Sequence, residues 1–260
     1  MKNYQTIKIE TDNQTAVLTF NRPEVLNALN SETVTEALDA VRDLEKNPDV
    51  RVLVFTGAGR AFISGADIAE MLEKSSAAAR TYSELGHTLM ATIQDMGKPS
   101  IAAIGGYCLG GGMEVALACD IRLASEKAQF GLPETVLGII PGWGATQRAA
   151  RLVGTAHAKE LIFTGEIIDA YRALEIGLIN RIIPQASLIH FTLDMAKKIS
   201  RQGQIAIAHA KKVIRKGVEM TLAQGCKTET DAFVSCFETE DHREGMQAFI
   251  EKRKPKFTGR

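Results

Sequence analysis

Neither sign of charge is in surplus: 31 Lys and Arg balance 31 Asp and Glu. A general nucleic-acid binder carries a basic excess, so this balance argues against a nucleic-acid partner. The 260 residues hold only four cysteines, Cys108, Cys119, Cys226 and Cys236, and none stands in a CxxC pair. Their spacing is neither a disulfide framework nor a zinc site, and free thiols suit a reducing, cytoplasmic compartment. The five histidines form no HxxxH or HExxH pair, which speaks against a metal site. No serine stands in GxSxG, since Phe62 occupies the place of the first glycine before Ser64, so a hydrolase elbow is absent. Long apolar runs are missing too. The longest uncharged apolar stretch, Ile101 to Met113, holds five glycines and falls short of the ~20 residues that span a bilayer. The opening MKNYQTIKIE contains neither the apolar core of a signal peptide nor an Arg- and Ser-rich transit segment, which again predicts a cytoplasmic protein.

What is present suffices for a large core: a chain of this length hides roughly three-quarters of its extended surface. Alternating Ile7 and Ile9, then Val17, Leu18 and Phe20, predict paired strands before the break at Asn21-Arg22-Pro23. Ser31 as N-cap, followed by Val34, Leu38, Val41 and Leu44, predicts an amphipathic helix that Asn47-Pro48 stops. Val50 to Phe55 is a near-continuous β-branched run, as a buried parallel strand would be. Tyr82 to Met96 has helical spacing, Ile101 to Ile104 reads as a strand, Met113 to Cys119 as a helix, and Ile121 to Ala124 as a strand. This alternation indicates α/β architecture. From Ser187 to Arg253 no clear strand appears, and Leu193, Ala196, Ile199, Ile207, Val213, Ile214, Phe233 and Phe237 suggest three or four helices. Two strand-to-glycine-to-helix passages echo one another, through Ser64-Gly65-Ala66-Asp67-Ile68 and through Leu109-Gly110-Gly111-Gly112-Met113-Glu114.

Those glycines let the backbone approach another group, and the first N–H groups of a helix lack internal partners, which makes an oxyanion site. The pattern fits neither a Walker loop nor GxGxxG with a distant acid. Close helix–strand packing explains the glycines equally well, and the Ala66 turn, taken alone, reads first as the start of an Asp67-capped helix without chemistry. Two such N–H groups aimed at one carbonyl would form an oxyanion hole. Glu114 lies just past the glycine run in an otherwise apolar stretch; burial there would raise its pKa and suit it to proton transfer. Glu134 follows in Phe130-Gly131-Leu132-Pro133-Glu134, where proline makes a rigid turn. Two carboxylates on rigid turns can act as general acid and base on one substrate, although solvated surface glutamates have the same spacing. Trp143, in Pro141-Gly142-Trp143-Gly144, reads as a packing or pocket-wall residue. Lys211-Lys212 and Arg215-Lys216 form a basic helix face.

The stretches NRPEVLNALN, AFISGADIAEM, IAAIGGYCLGGGMEVALACDIRLA, AQFGLPETVLGIIPGWGATQR and EGMQAFIEKRKPKF resemble the crotonase (enoyl-CoA hydratase) superfamily, in order, from about Asn21 to Lys256. The resemblance implies a spiral core of ββα repeats over residues 1–186. It also implies a helical region, 187–260, that mediates trimers, commonly paired into hexamers, and closes the CoA site. It implies an acyl-CoA thioester substrate and hydration of its 2,3 double bond, with no cofactor beyond the CoA of the substrate. Carried over by position, Ala66 and Gly111 would supply the oxyanion-hole amides, and Glu114 and Glu134 the acid–base pair. CoA would lie near Arg60, Ala61, Phe62, Ala66, Asp67 and Ile68, and Lys256 and Phe257 would help close its site, from a neighbouring subunit. Gly142 joins the substrate-binding positions, and Met71, Leu85, Leu89 and Trp143 are acyl-pocket candidates. Trp143 replaces a frequently small residue, which leaves acyl length open. KELIFTGEIIDA and KPKFTGR also resemble the methylglutaconyl-CoA hydratase branch. Double-bond isomerisation is a second enzymatic reading, and RNA binding through Lys211 to Lys216 a third, non-enzymatic one.

Overall fold

The computed structural model describes residues 2–260. The first strands, β1 (Ile7–Asp12) and β2 (Thr15–Phe20), pair antiparallel around a tight turn at Asn13-Gln14, both in the left-handed region. Helix α1 (Ser31–Lys46) follows. Its N-cap is Asn30 rather than Ser31: the Asn30 side chain accepts from the Thr33 amide, and Ser31 begins the helix proper. Either residue caps well, so adjacent cap formers hide a one-residue offset from sequence reading.

Three turns of a spiral come next. The first runs through β3 (Val52–Gly57), β4 (Ala61–Ile63), α2 (Ile68–Leu72) and α3 (Ser76–Asp95). The second has β5 (Ser100–Ile104), β6 (Tyr107–Leu109) and α4 (Gly111–Ala118). The third has β7 (Ile121–Ser125), β8 (Gln129–Gly131) and a 3-10 turn over Pro133–Leu137. The longer strand of each turn joins a six-stranded sheet ordered β1-β2-β3-β5-β7-β10, where β10 is Arg181–Ile183. The shorter strand joins a second sheet ordered β4-β6-β8-β9, where β9 is Ile168–Asp169. Within these sheets β4, β6 and β8 run parallel to one another. The echo between the two glycine turns is therefore a structural repeat, set on adjacent strands.

Alternation across the large sheet divides the core. Val52, Val54, Ile101, Ala103 and Leu123 face α8 (Leu188–Ser200), while Leu53, Phe55, Ala102, Ile104 and Ala124 face the main core with α1, α3 and α4. Both faces are covered, which is why these strands read as continuous apolar runs. Between the third turn and β10 lie α5 (Ala145–Leu152), α6 (Gly154–Thr164) and α7 (Ala170–Glu175). The chain ends in α9 (Gln204–Gly217), α10 (Leu222–Phe237) and α11 (Glu240–Ile250), which leave Leu222, Phe233, Phe249 and Ile250 exposed. Among the described residues no helix is long and apolar enough to cross a membrane.

Candidate active site

The ends of β4, β6 and β8 lie side by side, and each carries a group that faces one cavity of about 560 Å³. After β4 comes Ala66. Leu29 forms a parallel bridge with it, donating to the Gly65 carbonyl and accepting from the Asp67 amide. That pattern uses the groups on either side of Ala66 and turns its own N–H away from Leu29. After β6 comes Gly111, the first residue of α4, whose N–H has no partner within the helix. Neither amide donates a hydrogen bond among the described residues. Gly110 between them has φ of +49°, a conformation that disfavours side chains, and a Cβ there would lie 3.2 Å from the Glu134 carboxyl and 3.6 Å from the Gly65 α-carbon. The three turns thus meet at one point. Gly112 is equally constrained, since a Cβ would fall under 3.0 Å from the Ile63 carbonyl; a bare helix start lets α4 dock on β4.

The two carboxyls sit in this same space. Glu114, in the first turn of α4, is 2% exposed. Its Oε1 accepts from the Trp143 amide at 2.7 Å and the Ala145 amide at 2.9 Å. Burial lifts its pKa to about 7; those two amides pull it back, and the Glu134 charge adds to the rise. Glu134 enters on the 3-10 turn that Pro133 starts. Burial raises its pKa too, and its Oε2 is buried with no hydrogen-bond partner among the described residues. An unpartnered buried carboxyl oxygen is costly unless a ligand or water meets it. Both glutamates, Ala66 and Gly111 line the cavity together. The arrangement can hold a carbonyl oxygen on two amides and a water between two carboxyls.

Against known proteins, residues 10–260 match the family model described as Enoyl-CoA hydratase/isomerase. The chain belongs to the enoyl-CoA hydratase/isomerase family. It is 43% identical to the crotonyl-CoA hydratase of Syntrophomonas wolfei over 98% of both chains. It is 43% identical to a short-chain-enoyl-CoA hydratase of Clostridium acetobutylicum over 95% of both. The crystal structure of an enoyl-CoA hydratase from Bacillus anthracis superposes with a TM-score of 0.96 at 38% identity, covering 98% of this chain and all of that one.

Other expected positions of this family member fall in different places. Asp67, Ile68, Met71, Gly142 and Trp143 line the cavity. Asp67 also caps α2 through the Glu70 amide and pairs with Arg22 at 3.1 Å. Ala61 and Phe62 are buried in β4, the Phe62 ring packing edge-on against Phe20 at 6.3 Å, and exposed Arg60 precedes them. None of these three lines the cavity. Leu89 is fully buried in the core and Leu85 packs against it, so neither forms the pocket wall. Lys256 and Phe257 lie by α11, where the Lys256 amide donates to the Glu244 carboxyl of that helix and the Phe257 ring faces Gly245. They do not reach the cavity of their own chain.

Several positioning residues carry no local sequence signal. Tyr82 donates its hydroxyl to the Leu29 carbonyl at 2.6 Å and so backs the Ala66 bridge. Ser83 donates to the Gly142 carbonyl at 2.7 Å, and Arg148 donates to both the Trp143 carbonyl and Gln94. These bonds fasten the loop that holds Glu114 onto α3. Asn27, buried at a φ of +59°, donates to the Ala58 and Ala61 carbonyls and accepts from the Arg22 amide, which fixes the approach to β4.

Proposed function

We propose that this chain adds water reversibly across the 2,3 double bond of a 2-enoyl-CoA thioester, giving a 3-hydroxyacyl-CoA. The observation that carries the reading is the meeting of two unpartnered amides, one buried carboxyl and one half-buried carboxyl on one largely apolar cavity, among the described residues. The Ala66 and Gly111 amides hold the thioester oxygen, where negative charge grows as C3 is attacked; the dipole of α4 favours that charge. Glu114 and Glu134 hold the water. As its oxygen bonds to C3, Glu114 takes its proton, the electrons of the double bond move toward the thioester oxygen, and Glu134 delivers a proton to C2. The proton gained by one carboxyl matches the one lost by the other, so the pair holds a single proton before and after. A site in which burial lifts both carboxyls, and the Glu134 charge lifts Glu114 further, suits that sharing.

Coenzyme A enters as part of the substrate, and the balanced reaction requires no further cofactor. In the same reading residues 1–186 form the catalytic core. Region 187–260 serves assembly into a homotrimer or a pair of trimers, supported by the apolar side chains that α10 and α11 expose, such as Phe249 at 85%. Lys256 and Phe257 then close the CoA site of a neighbouring subunit, and the enzyme acts in the cytoplasm. The test is hydration of crotonyl-CoA, followed by loss of the conjugated thioester absorbance. Glu114→Gln and Glu134→Gln should each lower turnover by ~10²–10⁴, as loss of a positioned acid or base does. Wild-type turnover in either variant would remove the assignment. Conversion of a 3-enoyl-CoA to the conjugated isomer, faster than hydration, would favour isomerisation instead.

A further inference from the structure

Arg122 on β7 is a buried cation with no acid against it among the described residues. It is 7% exposed, and its guanidinium donates only to backbone: Nε to the Leu178 carbonyl at 2.8 Å, Nη1 to the Cys119 carbonyl at 2.7 Å and the Ala116 carbonyl at 3.4 Å. Asp120, two residues away, attracts Arg122 through space but makes no hydrogen bond or ion pair with it, its carboxylate being engaged by Lys211 at 2.8 Å and by Ser100. The other ionisable groups facing Arg122 are the buried thiols Cys108 and Cys119, both pushed up by burial, Cys119 to about 12, so neither supplies a counter-charge near neutrality. A charge buried on these terms is costly unless something of opposite sign meets it. What meets it is the negative end of α4, since the Ala116 and Cys119 carbonyls close that helix. The opposite end of α4 is Gly111.

We infer that Arg122 is a positioning residue for the reaction: by capping the carbonyl end of α4 it holds the helix in register and leaves the Gly111 end with an uncompensated positive potential toward the thioester oxygen. The inference rests on the enoyl-CoA reading above. The eight residues of α4 span ~12 Å, so the guanidinium stands roughly 15 Å from the oxyanion. At an effective dielectric of ~20 a unit charge at that distance changes the rate about five- to tenfold. A residue that merely filled space would lack this electrostatic effect.

The experiment compares wild type with Arg122→Met, Arg122→Gln and Arg122→Lys in two readouts. One is hydration of crotonyl-CoA; the other is the absorbance maximum of bound 2,4-hexadienoyl-CoA, whose conjugated thioester shifts to the red when its oxygen is polarised. Arg122→Met should lower kcat about five- to tenfold, leave KM within about twofold and shrink the red shift, while Arg122→Lys should recover most of both. Arg122→Gln keeps a donor to the Cys119 carbonyl without the charge and serves if the Met variant does not fold; it should behave like Met. A folded neutral variant with the wild-type shift and kcat overturns the inference, as does a Lys variant no better than Gln. If wild type neither hydrates crotonyl-CoA nor shifts the dienoyl band, the enoyl-CoA reading itself fails and the role of Arg122 falls with it.

Discussion

Replacing a glycine inside a helix with alanine ordinarily stabilises a protein by ~0.5–1 kcal/mol. Gly86→Ala, in the middle of α3, should do the reverse. A Cβ there would lie under 3.0 Å from three atoms of the Trp143 indole, closer than real Cβ atoms come to their neighbours. The ring has nowhere to retreat. On its far side a Cβ at Gly111 would lie only 2.6 Å away, the Tyr82 ring packs edge-on at 5.1 Å, and the indole N–H donates to the Tyr82 carbonyl. Trp143 is 3% exposed, so the clash must be absorbed by the core. Overpacking of this kind costs ~1–3 kcal/mol. Against the helix gain the net loss is up to about 2.5 kcal/mol, a Tm lower by up to roughly 10 °C. The kinetic effect should exceed the stability effect, because the amide of the displaced residue holds Glu114 Oε1. A carboxyl moved by ~1 Å costs about a hundredfold, and smaller shifts proportionately less, so kcat should fall about ten- to hundredfold. Thermal melting and crotonyl-CoA hydration are measured for Gly86→Ala, Trp143→Ala and the pair; the cycle should show a favourable coupling above about 1 kcal/mol, with the double variant more stable than additivity allows. A single Gly86→Ala variant that melts higher than wild type and keeps its kcat would refute the packing argument outright.

Two other outcomes follow from buried polar groups. Glu114 has a folded pKa of about 7, raised chiefly by burial, against an unfolded value near 4.5. The folded chain therefore binds this proton more tightly; the contribution to stability is full below about pH 4.5 and is lost as pH rises through about 7. Between about pH 5 and pH 8, wild type should lose on the order of 3 kcal/mol relative to Glu114→Gln in equilibrium denaturation, and parallel pH curves would contradict the shift. Asn27→Ala strips partners from the Ala58 and Ala61 carbonyls and the Arg22 amide and places alanine at a left-handed φ. It should cost about 2–4 kcal/mol, read from the denaturant midpoint, and a change under about 0.5 kcal/mol would show those bonds to be dispensable.

The large sheet was legible because its strands are buried on both faces and so leave dense apolar runs, as in Val52–Phe55 and Ile101–Ile104. Helix α3 was only partly so. Its first turn, capped by Ser75, is exposed alanine and polar sequence, and the apolar spacing starts at Tyr82, six residues into the helix. A solvated turn has no face to bury and therefore no periodicity to read. Strands β4, β6 and β8 have three residues each, too few for a period-two pattern; only the glycines after β4 and β6 and Pro133 after β8 mark the turns. Glu114 and Glu134, which residue type singles out, and Ala66 and Gly111, which the family resemblance names on the two glycine turns, stand on one cavity. Their supports escaped notice for a different reason. Tyr82, Gly86, Ser83 and Arg148 act across long chain separations, and a tyrosine or a glycine in a helix looks the same whether or not a tryptophan from a distant loop leans on it.

Those supports explain why a site made of strand ends can be stiff. Parallel strands place their carboxyl ends on one edge, so β4, β6 and β8 deliver two amides and a carboxyl to one place although each belongs to a separate turn of the spiral. Backbone donors cannot be lost by side-chain motion, but they can be misaimed if a turn tilts. Each part is therefore braced from outside: the Ala66 turn against Leu29 and Tyr82, α4 against Ile63 and Trp143, and the segment 142–148 against α3. Helix α3 touches two of these braces through Tyr82 alone, by its hydroxyl to Leu29 and its carbonyl to the Trp143 indole. A tilt of α3 must consequently move the oxyanion amide at Ala66 and the amide that holds Glu114 together. The electrostatic and proton-transfer halves of the site share one mechanical support, and damage to it should lower both at once rather than trade one against the other.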